Sequence, residues 1–111
     1  MTLPDPHARR RTLLESLAMA ARPAEEQRAA LPRGAAVQLR HIHEDVAHLA
    51  PELRAAGLLD GEAFRRLAAF DRHHEAMSED EALWTDEALG SDPRWEESRS
   101  LAAAALAAIA Q

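Results

Sequence analysis

The residues best equipped for chemistry form a motif used twice. Asp45-Val46-Ala47-His48 and Asp71-Arg72-His73-His74 both read Asp-x-x-His, 26 residues apart. Inside a helix, that spacing sets a carboxylate and an imidazole side by side, one turn apart. Such a pair can ligate a divalent metal, share a proton, or form a plain polar contact. The chain has no cysteine, which excludes disulfides, thiol catalysis and zinc-thiolate sites and makes these histidines its foremost candidate ligands. A metal reading takes Asp45, His48, Asp71 and His74 as ligands of a divalent ion.

The motif resembles the Glu-x-x-His pairs that bundle dimetal proteins project inward from facing helices. Aspartate replaces glutamate in both copies, and the resemblance covers only eight residues. A complete site of that kind would also need carboxylates from two further helices, for which Glu15 and Glu96 or Glu97 are the available donors.

The elements that must position these residues are helices. Of 52 hydrophobic residues 26 are alanine and 15 are leucine, whereas valine, isoleucine and threonine together number seven. Alanine, leucine, glutamate and arginine favour helix, and the scarcity of β-branched residues argues against a sheet. The expected fold is all-α: one domain over residues 1–111, a compact bundle of four to six helices with short connections. Asp5-Pro6 starts a helix ending near Arg22, and Pro23 starts a short one over Ala24–Leu31. After the Pro32-Arg33-Gly34 turn, Ala35, Leu39, Ile42, Val46, Leu49 and Leu53 form a one-sided stripe. Pro51 predicts a kink or break near Ala50, and Gly57 suits a C-terminal cap. Asp60 caps the next helix, with Leu59 and Phe64 placed as a hydrophobic staple and Ala63, Leu67, Phe70, His74 and Met77 as its stripe. Ser78 with Glu81 reads as a capping box for a short helix ending near Gly90. Asp92-Pro93 opens a last helix burying Trp95, Ala102, Leu106 and Ile109.

Periodicity separates the two motifs. At about 100° per residue, Asp45 lies about 80° and His48 about 140° from their stripe, towards solvent, with His43 on the other flank. His74 sits mid-stripe, about 60° from Asp71. The expectation is therefore a buried His74 beside Asp71. A hydrogen bond donated by His74 to Asp71 would favour the charged imidazolium, and burial would oppose that.

Charge supplies the second candidate. Net charge is −6, and residues 56–111 carry twelve acids against five arginines. Residues 75–97 hold nine acids, one arginine and both tryptophans. Tryptophan anchors and acidic steering suit a docking surface for a basic partner, read here as Trp84, Asp80, Glu81, Asp86 and Glu87. Trp95 falls on a core stripe. Lysine, asparagine and tyrosine are absent and every basic residue is arginine, a composition that points to a high-GC bacterial genome rather than to phosphate recognition. Net acidity argues against nucleic acid and anionic membranes as partners. The segment from Leu53 to Phe70 has a helix-turn-helix outline, which the acidity reassigns to a helical hairpin. No apolar run approaches a membrane span, and Glu15 interrupts the stretch after Arg9-Arg10-Arg11, so that stretch reads as an amphipathic helix and the protein as cytoplasmic. No phosphate cradle or activated serine is apparent, and the reading leans away from an enzyme. The leading expectation is a small acidic protein-interaction domain without a cofactor, analogous in size and charge to immunity-type proteins that neutralise a basic partner. The metal-binding bundle is the alternative, and homodimerisation is a further expectation should Leu58, Leu101 or Trp84 stand exposed.

Overall fold

Asp5 begins the part of the chain that the computed structural model describes, residues 5–109. Six α-helices follow in order: α1 (Pro6–Ala21), α2 (Ala24–Ala30), α3 (Ala35–Ala55), α4 (Gly61–Met77), α5 (Asp86–Ser91) and α6 (Pro93–Ile109). A 3₁₀ turn, Glu81–Leu83, precedes α5. No strand occurs among the described residues. The long helices pack in a ring, α1 against α3 and α6, and α4 against α3 and α6. The all-α bundle expected from composition is the observed architecture.

Local chemistry sets the helix limits. Asp5 accepts a hydrogen bond from His7 N at 3.0 Å, and Asp60 accepts one from Ala63 N at 2.8 Å. Each satisfies a backbone donor that the first helical turn leaves open. At the far end of α3, Gly57 takes φ +77°. Leu58 N then bonds Leu53 O at 2.9 Å and Gly57 N bonds Arg54 O at 3.1 Å. This pair of bonds closes the helix end, and the left-handed residue they require is glycine. The first helix ends differently. Gln27, 1% exposed, reaches back to donate to the carbonyls of Met19 and Ala20 at 3.0 and 3.1 Å.

Two expectations for these elements need correction. Helix α3 does not break near Ala50: it runs through Pro51 to Ala55. Pro51 is exposed while Ala50 and Leu53 are buried in one core, so the proline ring lies on the solvent side and packing carries the helix past the missing donor. Ser78 and Glu81 form no capping box. Ser78 Oγ donates back to Glu75 O at 2.6 Å, and the caps downstream are Asp80, to Ala82 N, and Thr85, to Ala88 N. The segment between α4 and α6 consequently folds as the 3₁₀ turn plus a six-residue helix.

The interior has two parts. Leu13, Leu17, Val46, Leu53, Leu67, Phe70 and Ala102 belong to the larger core between the long helices. Ala35, Leu39, Met77, Leu83, Leu89 and Trp95 belong to a smaller core, with Met19, Ala24, Leu31 and Trp84 packed against it. On α4, Phe70 belongs to the first and Met77 to the second, and His74 is buried between them.

Candidate functional site

The site is a layer of polar and aromatic side chains where the two cores meet. On α3, Arg40, His43 and Glu44 share one face by their i, i+3, i+4 spacing, and on α4 Asp71, His74 and Glu75 do the same, with Ser78 in register just past the helix end. Together with Trp84, after the 3₁₀ turn, residues from these two faces border a cleft: Arg40, His43 and Glu44 on one side, His74, Glu75 and Ser78 on the other.

His43 Nε2 lies 2.7 Å from Asp71 Oδ1. Its ring stacks on His74 with centroids 4.6 Å apart and planes 19° from parallel. His74 Nε2 lies 2.6 Å from Ser98 Oγ on α6. Phe70, Trp84 and Trp95 surround the His74 ring at centroid distances of 4.6, 6.2 and 5.8 Å. Trp95 is itself anchored by donating Nε1–H to Leu83 O at 2.7 Å, and it meets Trp84 edge-to-face at 5.2 Å.

Electrostatics follow from this packing. His74 is 2% exposed. Its pKa is pushed down to about 3, chiefly because burial penalises the charged ring, with His43 and His73 adding like-charge repulsion. His74 is therefore a neutral imidazole near pH 7. Its Nδ1 is buried without a partner among the described residues, as is Trp84 Nε1. Arg40, by contrast, lies exposed with its guanidinium carbon 5.1 Å from the Trp84 ring centroid, a cation–π arrangement.

The residues expected to bind metal are not brought together. Asp45 and His48 are exposed on α3, and the nearest acidic group to His48 is Glu52 at 3.6 Å. Asp71 turns to His43 rather than to the expected His74, which bonds Ser98 instead. The reason is rotational: Asp71 is half-buried at the α3–α4 seam, while His74 points deeper, towards α6. Among the described residues no group of three or more His, Asp or Glu side chains is arranged to hold a metal ion.

The docking residues divide into two groups. Asp80 is 3.1 Å from Arg94 and caps the 3₁₀ turn. Asp86 Oδ1 accepts from Ala36 N at 3.4 Å, and its carbonyl accepts from Arg28. Both serve the fold. Glu81 and Glu87 are exposed, with no ion pair among the described residues. Trp84 is half-buried between the smaller core and Arg40. Leu58 and Leu101 are also half-buried, packed on the larger core, so the exposure that would point to self-association is not met at these positions.

Sequence reasoning missed His43, Arg40 and Ser98. A signal for His43 was present, since it is four residues after Leu39 and three before Val46, at the edge of the buried stripe. Ser98, 1% exposed, had no such signal beyond lying three residues after Trp95. The helix-turn-helix outline resolves into a hairpin of α3 and α4 around a shared core, with Arg65 and Arg66 both paired to Glu62.

Comparison with protein-family models, curated proteins and solved structures found no match.

Proposed function

We propose that the chain is a small acidic, non-enzymatic interaction domain that docks a basic partner protein on the surface formed by residues 75–97, in the manner of an immunity- or inhibitor-type protein. One observation carries the reading. In this segment Met77, Leu83, Leu89 and Trp95 are all buried to 1% exposure or less, while Glu75, Glu79, Glu81, Asp86, Glu87, Glu96 and Glu97 are exposed. The negative charge therefore sits on a packed frame. A partner meeting it loses little conformational entropy from this side, and like charges held together steer a cationic surface at long range.

The experiment uses Glu81 and Glu87, because reversing Asp80 or Asp86 would also remove a cap or a backbone contact. The wild-type chain and a Glu81→Lys/Glu87→Lys variant are immobilised and exposed to native lysate at low salt. Captured proteins are identified by mass, then purified and titrated. A basic protein is retained by the wild type, its affinity falls steeply with salt, and the variant loses it. Capture that is indifferent to the charge reversal refutes the reading. An inhibitor role further requires that the partner's own activity fall on binding.

A further inference from the structure

We propose that the Trp84 face within this acidic surface is a receptor position for an arginine side chain of the basic partner, held in the free protein by the chain's own Arg40. The inference rests on the docking reading above and specifies its centre.

Four observations converge. First, the Trp84 ring already accommodates a guanidinium, that of Arg40 at 5.1 Å. Second, Arg40 is weakly held: it is exposed and has no ion pair among the described residues. An exposed cation–π contact alone is among the weaker polar contacts, so the position is open to exchange. Third, the cleft beside the ring has two carboxylates, Glu44 and Glu75, neither paired with an arginine among the described residues. Fourth, His74 borders the same cleft, is 2% exposed, and leaves Nδ1 without a partner among the described residues. In the tautomer that donates Nε2–H to Ser98 Oγ, Nδ1 is an acceptor.

Ring face and carboxylates, beside an imidazole that is neutral and does not repel a cation, suit a planar cation with several N–H donors. Arginine meets that description better than lysine, whose ammonium is a compact, strongly hydrated point charge. Arg40 is anchored on α3 and spends its guanidinium on the ring alone. An arginine arriving from outside approaches from another direction and can engage ring and carboxylates together. Exchange would swing Arg40 outward, where it is already solvated. The resident arginine also protects the half-buried indole from non-specific contact until a matching partner arrives.

The test reads the indole N–H signals of Trp84 and Trp95 by NMR while a hexa-arginine peptide is added at low salt, with hexa-lysine as the comparison. The Trp84 signal shifts and saturates, with Trp95 moving less. Arg40→Gln tightens hexa-arginine binding about threefold more than Arg33→Gln, which removes the same charge elsewhere. Glu44→Gln/Glu75→Gln weakens it several-fold, and hexa-lysine binds less tightly than hexa-arginine. All four altered side chains are exposed, and the dispersion of each variant's spectrum verifies its fold. If the peptide moves the amides of Glu81 and Glu87 but leaves the Trp84 indole in place, the arginine position is wrong and the docking surface stands. Equal effects of the two arginine substitutions, or equal affinity for the two peptides, also overturn it. If neither peptide perturbs any part of residues 75–97, both readings fail.

Discussion

Burial of His74 makes the protein's stability depend on pH in a window set by that residue. In the unfolded chain an imidazole titrates near its ordinary value of 6.5, whereas in the folded protein His74 does so at about 3. Between those values the unfolded state binds a proton that the folded state refuses. Stability from this group is complete above pH 6.5, falls as pH drops, and is lost once pH reaches the folded value. Each unit of pH within the window costs about 1.4 kcal/mol. From pH 7 to pH 5 the loss is about 2 kcal/mol, and the full shift corresponds to about 5 kcal/mol. A domain of this size has about 5–15 kcal/mol in total, so the effect is readily measured. The groups facing the ring are His43, His73, Asp71 and Glu75, on α3 and α4, with Ser98 on α6. Glu62 and Asp92 are held below their ordinary values of 4.5 and 3.8 by hydrogen bonds from their arginine partners, so what they contribute is lost mainly below this interval.

The assay is urea unfolding followed by circular dichroism at pH 7 and pH 5, for the wild type and for His74→Gln. Glutamine keeps a hydrogen-bonding group towards Ser98 and cannot be charged. The variant starts less stable, but between the two pH values it loses about 2 kcal/mol less than the wild type. In melting temperature the wild type falls by about 8–16 °C more. Equal losses in the two proteins would refute the argument, since they would place the acid sensitivity in other groups.

Three further outcomes follow from the same geometry. Gly57→Ala, at φ +77°, costs about 1 kcal/mol in chemical unfolding, whereas Gly61→Ala, at the start of α4 with no heavy atom near the added methyl, is neutral or stabilising by up to about 1 kcal/mol. Gln27→Leu removes the side-chain donor to the last carbonyls of α1, leaving Met19 O with only the Arg22 backbone N–H, and costs about 1–3 kcal/mol, with early loss of amide protection near Met19 and Ala20 under hydrogen exchange. Zinc, manganese or iron at stoichiometric concentration leaves the melting temperature of tag-free protein unchanged, because Asp45 and His48 lie in solvent and Asp71 is engaged by His43; a rise of several degrees would restore the metal reading.

Much of the fold is legible along the chain because helices are built from local rules. The α4 stripe of Ala63, Leu67, Phe70, His74 and Met77 is buried throughout, and so are Leu39, Val46, Leu49 and Leu53 on α3. Asp5, Asp60, Asp92 and Gly57 act at the ends where their types place them. The segment after α4 was harder to read. Its helices are too short for periodicity to show a face, and Asp80 and Thr85 compete with Ser78 as caps.

The site divides along the same line. Periodicity around one helix determines which side chains turn inward, and that suffices to bury His74 and to leave Asp45 and His48 outside. It carries no information about which neighbour an inward side chain meets. That depends on how two helices rotate and cross, which is settled by packing between residues distant in sequence. His43 and Asp71 are 28 positions apart, and His74 and Ser98 are 24 apart. Tertiary structure alone decides that Asp71 serves His43, that Ser98 serves His74, and that the exposed Arg40 covers Trp84. The sequence by itself determines an acidic helical protein with one buried histidine. The crossing of α3, α4 and α6 turns that histidine, a tryptophan and two carboxylates into the border of a single cleft.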